Sequence, residues 1–483
     1  MHHPPLDFGP VAPELILVGV GLVLLVVEAV WSRISHAWLA AGALLGLAGA
    51  GVASAMLWNR HGNPTVLGDM VAADRFSVFA RIVVLGVGAI GVAFGHHYFE
   101  RTGERRGEFY ALLLLCTSGM TLIVAANNLI LVFLALEILS LSLYVLTGFS
   151  FRLTAIEGAM KYFLLGAFSS AFFLYGIAMA YGATNTTSIT GIARALAGRT
   201  GGVPLALTAA GLLAVGFAFK VAAVPFHSWA PDAYQGAPTP ITAYMSAATK
   251  VAAFAALLRV FDVAFAPLAW DWTPFIWVIA AVTMVVGSVL AIAQTDIKRM
   301  LAYSSVAHAG FILTGVTAAG AAGISASLFY LLAYAAMIVG AFGVVMLVSI
   351  RGEERLGIAS YAGLARRNPL LAGLLTLFLL SLAGIPPTAG FIAKVSVFGA
   401  AVQDGHWPLV LIAVLASVVA AFFYLRVIVI MYTQEPDTAD DAERVSAPGP
   451  AIGIGVTAVA TLLFGVFPGL AFHFLDQASV LRW

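Results

Sequence analysis

Charge is what this sequence has least of: only 10% of its 483 residues are Asp, Glu, Lys or Arg, against about 25% in soluble proteins. With 61% hydrophobic residues and a net charge of +1, the chain reads as an all-α, polytopic membrane protein. No basic face is left over to meet nucleic acid, since the arginines fall in short loops. Cysteine is nearly absent too. The single Cys116 excludes a disulfide and any cysteine-ligated iron–sulfur cluster in this chain. Basic residues are missing from the N-terminal MHHPPLDFGP, so the first apolar run is expected to stay as a membrane span rather than a cleaved signal. Long polar stretches are missing as well. Those near 183–202, 351–369 and 434–448 are too short to bury a core of their own.

Apolar windows of about 20 residues mark spanning helices. They fall near 13–32, 36–58, 76–95, 109–126, 128–148, 155–182, 203–231, 239–262, 274–295, 298–319, 323–350, 370–402, 408–433 and 449–473, which makes fourteen. Alternate loops carry Arg33, Arg101, Arg105, Arg106, Arg152, Lys298, Arg299, Arg351, Arg355, Arg366, Arg367 and Arg444, while the opposite loops carry Arg60, Arg75, Arg194, Arg199 and Arg482. By the positive-inside rule both termini are expected on the non-cytoplasmic side. An even helix count agrees.

Two of these helices are interrupted by proline. VGFAFKVAAVPFHSWAPD places Lys220 before Pro225, and LSLAGIPPTAGFIAKVSVF places Pro386 and Pro387 before Lys394. Proline removes a helical donor and clashes with the preceding turn, so backbone groups there need other partners. A kink with a snorkelling lysine is the plain alternative, but Lys394 lies about half a helix from either end. The breaks also suggest two five-helix units, helices 4–8 and 9–13, each broken at its fourth helix and inverted in the membrane because five is odd. The domains expected are an N-terminal three-helix segment at 1–108, repeats at 109–262 and 263–433, and a linker with the final helix at 434–483.

The few charges within apolar runs are functional suspects, because a charge there costs several kcal/mol unless paired, hydrated or neutralised. Seven of the 24 Lys and Arg lie in or at the edges of helices: Arg81, Lys161, Lys220, Lys250, Arg259, Lys394 and Arg426, joined by Glu28 and Glu137. Burial disfavours the ammonium form of a lysine and a nearby glutamate favours it. The balance yields a group able to load and release a proton. A second charge about 10 Å away contributes roughly 1.7 kcal/mol at an effective dielectric of 20, enough for one lysine to switch another. The competing view is a set of structural ion pairs that fix helix register.

Glu157 and Lys161 stand four apart, which suits an i,i+4 pair or a proton entry site. His227 and His308 could relay protons or simply donate to a carbonyl, and nothing besides the bare histidines suggests a haem. Gly86, Gly88 and Gly91 spell GxGxxG without a preceding strand or an acidic ribose partner, which points to close helix packing. Asn185 opens a glycosylation sequon that matters only in a eukaryotic secretory setting. The sequence offers no nucleophile triad and no metal cluster.

The segments RGEFYALLLLCTSGMTLIVAANNLILVFLALEILSLSLYVL, FKVAAVPFHSWAPDAYQGAPTPITAYMSAATK, DIKRMLAYSSVAHAGF and GIPPTAGFIAKVSVF, in this order, resemble the antiporter-like subunits of bacterial respiratory complex I and the related multisubunit cation/proton antiporters. The pattern is nearest the smallest of the three such subunits. Lysine rather than glutamate at 394 separates it from one sibling, and an end ten residues after the last helix from the one with a long lateral helix.

The resemblance implies fourteen helices, two inverted repeats with a half-channel in each, and proton translocation in the bacterial inner membrane with both termini periplasmic. It implies Glu137 as the acid that tunes Lys220, Lys220 as the broken-helix lysine, Lys250 as the central connector and Lys394 at the second half-channel. His227, His308, Glu157 and Lys161 match relay positions. No cofactor is expected in this chain: NADH, FMN, iron–sulfur clusters and quinone would be bound by other subunits. The partners expected are neighbouring antiporter-like and small membrane subunits and the lipid bilayer. A stand-alone Mrp-like antiporter and a scaffold whose charges only fasten helices are the competing functions.

Overall fold

A computed structural model describes the chain apart from residues 1–6, 32–33, 61–64, 105, 198–203, 319, 349–353, 436–447 and 482–483. Of the loop arginines, Arg33, Arg105, Arg199, Arg351, Arg444 and Arg482 lie outside the described residues. The first half of the chain forms α1 (Ala12–Val30), α2 (His36–Met56), a small antiparallel hairpin of β1 (Thr65–Val66) and β2 (Val71–Ala72), α3 (Arg75–Thr102), α4 (Glu108–Ala125), α5 (Leu129–Thr147), α6 (Leu153–Thr184), α7 (Ile189–Leu196), α8 (Pro204–Lys220) and α9 (Trp229–Gly236). One continuous helix follows over Thr239–Ala264. It is α-helical in α10 (Thr239–Tyr244) and α11 (Lys250–Arg259), with π turns at Met245–Thr249 and Val260–Ala264.

The second half holds α12 (Ala269–Ile292), α13 (Ile297–Thr317), α14 (Ala321–Leu347), α15 (Leu364–Arg367), α16 (Pro369–Ala383), α17 (Ala389–Gln403), α18 (Trp407–Thr433), α19 (Pro448–Val466) and α20 (Gly469–Ala478). Side-chain oxygens of Ser35, Asp74, Asn128, Asp296 and Asn368 accept a backbone N–H at the starts of α2, α3, α5, α13 and α16, satisfying donors that an α-helix leaves open at its first turn.

Among the described residues, twelve helices are long and apolar enough to cross a membrane. The chain is an integral membrane protein. The two remaining expected spans, 203–231 and 370–402, are the proline-broken ones. Each is divided into two shorter helices, α8 with α9 and α16 with α17. The last expected span, 449–473, also differs: Pro468 lacks the N–H to continue the ladder, so α19 ends at Val466 and a separate α20 follows. Helix α7 occupies part of the stretch expected as a linker at 183–202, and α15 part of 351–369.

Burial sorts the helices. The central window of Thr239–Ala264 is wholly buried and 94% of those in α13 and α14 are, against 33% in α6 and α18. The helices carrying Lys250 and His308 therefore form the middle of the bundle. Two of the three glycines of the α3 pattern pack closely: a Cβ on Gly88 would lie 3.2 Å from Leu47 and one on Gly91 3.4 Å from Leu113 and Tyr244, whereas Gly86 has no neighbour within 4 Å.

Two local devices occur twice. Leu129 N–H donates to Thr187 O and Ile189 N–H to Asn127 O. In the same way Ile297 N–H donates to Leu356 O and Ile358 N–H to Thr295 O. The resulting bridges pair Asn128 with Ser188 and Asp296 with Gly357, joining the start of α5 or α13 to the chain beyond the following long helix. Likewise Arg259 donates to Val124 O near the end of α4, and Arg426 to Ile292 O at the end of α12.

The arginines within helices are structural. Buried Arg259 makes a two-pronged pair with Asp74, at 2.7 and 2.9 Å, and buried Arg81 binds Glu14 at 2.9 Å and Pro10 O. Removing one partner of such a pair strands a buried charge, at about 3–5 kcal/mol. Arg426 caps α12 through Ile292 O and Gln294 O.

At the second break Gly384 has φ +87°, and a Cβ there would lie 2.8 Å from Lys394 Cδ. Left-handed backbone costs a non-glycine residue about 1–2 kcal/mol. Gly384→Ala is therefore expected to lower stability by about that amount or more, read as a reduced thermal midpoint of the purified protein.

Candidate functional site

The breaks determine where the lysines sit. A helix ends with carbonyls that lack intrahelical donors and with the negative end of its dipole, so an interrupted membrane helix creates a site for a cation. Lys220 is the last residue of α8. Its Nζ donates to Ser140 Oγ on α5 (2.7 Å) and Tyr162 OH on α6 (3.0 Å), and it faces the rings of Tyr162 and Tyr144 at 5.2 and 5.9 Å. Across the break, Trp229 stacks on Tyr162 at 4.2 Å and its Nε1–H caps Phe219 O at 2.9 Å. A small cavity with room for about one water adjoins Lys220, Ser140, Tyr144 and Ser170.

Lys394 uses the other break in reverse. From the second turn of α17 its Nζ reaches back to donate to Ala383 O, the last carbonyl of α16, at 2.8 Å, over the face of Phe311 at 4.8 Å. Lys250, between the two, donates to Ser305 O at 2.5 Å and lies 5.3 Å from the Tyr334 ring. The three lysines are only 3–6% exposed. Among the described residues none has a carboxylate within ion-pair distance. Their partners are neutral oxygens and aromatic faces.

Glu137, on α5, accepts a hydrogen bond from Ser170 Oγ on α6. It interacts with Lys220 through space without forming an ion pair with it. His308 is buried on α13 between Tyr330 OH (2.7 Å from Nδ1) and Tyr424 OH (3.2 Å from Nε2), and Tyr424 is bonded onward to Ser304. It lies within Coulombic reach of both Lys250 and Lys394. The structure thus brings Glu137 with Lys220, and His308 with Lys250 and Lys394. His227 sits in the first break, with its ring 6.4 Å from Tyr303 and its Nδ1 buried without a partner among the described residues.

Lys161 and Glu157 do form the i,i+4 pair, at 2.6 Å. Lys161 has a second, unforeseen partner in Asp232 at 2.8 Å, which Arg299 holds from the other side at 2.5 Å. That network ties α6, α9 and α13 together. Sequence reasoning missed Asp232, Tyr162, Trp229 and the Tyr330–Tyr424 pair around His308. Only WAPD next to the first break gave a local signal, for Trp229 and Asp232.

A second clamp joins the halves. Glu354 accepts from Thr239 N–H (2.9 Å) and Thr239 Oγ1 (2.5 Å), and Lys298 donates to Glu354 (3.3 Å) and to Ala237 O (2.6 Å).

An all-helical bundle with two interrupted helices and buried lysines on its midline defines an antiporter-like membrane subunit. Residues 126–420 match the protein-family model described as "NADH:quinone oxidoreductase/Mrp antiporter, TM". The chain is similar to NADH-quinone oxidoreductase subunit N of Rhodococcus opacus (strain B4), at 46% identity over 99% of this chain and 96% of that one. Its fold matches a chain of respiratory complex I from Thermus thermophilus with bound aureothin, at 34% identity, TM-score 0.79, and 95% and 98% coverage. It also matches a chain of the Mrp complex from Dietzia sp. DQ12-45-1b in fold, at 23% identity, TM-score 0.83 and 97% of each chain. The chain belongs to the NADH:quinone oxidoreductase/Mrp antiporter family of membrane subunits, on the branch of the subunit N sequences.

The clamp is testable by pH. Burial by itself raises the Glu354 carboxyl, but Lys298 and the Thr239 donors outweigh it and hold it below the ordinary glutamate value of 4.5. A carboxylate depressed on folding contributes stability that is present above its unfolded pKa and lost as pH falls through the folded value. Thermal midpoints of wild type are therefore expected to drop below about pH 4.5, and Glu354→Gln to be less stable at neutral pH with a shallower acid decline.

Proposed function

We propose that this chain is a proton-translocating, non-redox subunit of a membrane-bound NADH:quinone oxidoreductase, in which quinone chemistry on other subunits drives protons along the axis Glu137, Lys220, Lys250, His308 and Lys394. One observation carries the reading: three buried lysines are held by neutral oxygens and aromatic faces, while the buried arginines Arg81 and Arg259 are locked onto carboxylates and half-buried Arg426 onto a helix end. A lysine without a fixed counter-charge changes protonation when a nearby charge moves. A cation fixed as Arg259 is to Asp74 does not.

The two interrupted helices complete fourteen membrane crossings in this reading, and 109–262 and 263–433 are inverted repeats. The paired bridges at Asn128 and Asp296 and the matching arginine caps support that relation. In the register the bridges set, His308 stands where Ser140 does, so each repeat offers a proton-handling partner at the same depth. Glu157, Lys161 and His227 lie toward the entry of the first half-channel. The cofactors and the quinone belong to other subunits, the partners are neighbouring antiporter-like and small membrane subunits, and both termini face the periplasm of a bacterial inner membrane. The Mrp likeness in fold favours one competing reading, a cation/proton antiporter without a redox partner. Copurification with quinone-reductase subunits separates the two.

Proton pumping by the assembled complex in proteoliposomes tests the axis at matched electron-transfer rate. Lys220→Ala and Lys394→Met are each expected to assemble and to lose most of this chain's share of protons per electron. Full stoichiometry in both would make the lysines structural and the chain a scaffold.

A further inference from the structure

The helix that carries Lys250 ends in a feature the axis does not use. Its final turn, Val260–Ala264, is a π turn, a distortion common at functional sites, and it holds Asp262. This aspartate lines a cavity of about 370 Å3 together with Trp272, Thr273, Thr317 and Ser479, space for many waters. The cavity opens on the face where α1 begins and α20 ends. Asp262 Oδ2 is buried and has no hydrogen-bond partner among the described residues. Nor do the described residues lining the cavity include a Lys, Arg or His.

The position is a poor one for a structural carboxylate. A carboxylate at a helix C-terminus meets the negative end of the dipole, and Asp262, half-buried, has one oxygen out of water without a partner among the described residues, which costs desolvation that no hydrogen bond offsets. Asp74, near the same membrane face in the fold, shows what a structural aspartate looks like here: it caps α3 and grips Arg259. Asp262 has neither arrangement.

Its surroundings lie on the helices that carry the axis. Lys250 lies twelve residues earlier on the same helix, roughly 18 Å along it, and Thr317 lies nine residues after His308 on α13, roughly 14 Å. An adjoining cavity of about 510 Å3 shares Ala321, Ser479 and Val480, and is lined also by Ser325, Ser396, Gln403 and Asp476. Ser396 is two residues beyond Lys394 on α17. Among the described residues, Asp476 also faces this region, its Oδ1 accepting from Ser325 Oγ at 3.0 Å, and Arg194 lies on α7, which packs against the same π turn.

We propose that Asp262 is a proton-carrying carboxylate at the outer mouth of the protein: it accepts a proton arriving from the Lys250–His308 axis and releases it to water in this cavity. The proposal rests on the proton-translocation reading above. The proton enters on an Asp262 oxygen and leaves to bulk water, so the carboxylate is regenerated each cycle.

The test uses the assembled complex in vesicles, with Lys394→Met as the reference. Asp262→Asn is expected to assemble and to lower protons per electron, and Asp262→Glu to restore them. Asp262→Cys is expected to react with a membrane-impermeant thiol reagent added from the outer face, read on this chain by mass, where the single native Cys116 is buried. Loss of pumping in Lys394→Met with full pumping in Asp262→Asn would overturn the assignment and leave the axis standing. Full pumping in both would remove the axis, and the assignment with it. Absence of labelling at Asp262→Cys would mean a closed cavity and would also overturn it. Failure of the Asn and Cys variants to assemble would make Asp262 a structural group and would overturn it equally.

Discussion

An ammonium group inside an apolar bundle has to find oxygen, and in this protein it finds hydroxyls of neighbouring helices at Lys220 and backbone carbonyls at Lys250 and Lys394. Each proline break frees carbonyls that an intact helix would have used, and each has a lysine beside it. Lys220 stands at the end of α8 among hydroxyls from α5 and α6, while Lys394 reaches across its break to Ala383 O. The break is tolerated because other groups take up its loose ends. Trp229 caps Phe219 O, and Gly384 supplies the left-handed turn that leaves room for Lys394. Lysine, break and partner helices are thus one arrangement.

The arginines show the contrasting solution. Arg81 and Arg259 are just as buried but bind carboxylates, and Arg259 does so with the fork geometry that suits guanidinium. Those pairs lie toward the ends of their helices and fasten α1, α3, α4 and the Thr239–Ala264 helix to one another. At the opposite face Asp232 and Glu354 do the same for α6, α9, α10 and α13. Rigid ion pairs therefore hold both ends of the bundle. The lysines in its middle have softer partners, and a charge arriving nearby can alter them.

Much of the architecture was legible in the sequence. Hydrophobic run lengths located twelve continuous helices to within a few residues at most ends, because a membrane helix must satisfy its own backbone and so writes its length into composition. Both interruptions were legible from Pro225 and from Pro386 with Pro387, since proline acts on its own helix. The split at Pro468 was missed: the run stays apolar across it, and one proline near a terminus gave no sign of a separate α20. The small α7 escaped because eight residues are too short to cross a membrane and sit inside a stretch read as a polar linker, although its buried Ile189, Ile192 and Leu196 fall on one face.

For the site, the sequence by itself determined which groups are costly: Glu137, Lys220, Lys250 and Lys394 are unmistakable as charges in apolar runs, because desolvation depends on depth and depth follows from position along a helix. It did not determine their partners. Whether a buried lysine meets a carboxylate, a hydroxyl or a freed carbonyl depends on helices far off in the chain, such as those bearing Ser140 and Tyr162, 80 and 58 residues from Lys220. Arg259 and Lys250 lie on one helix and look alike in sequence, yet the first is locked to Asp74 and the second is free of any carboxylate among the described residues. Only tertiary packing decided that difference, because the partner of a long side chain is set by which helix face lies opposite it.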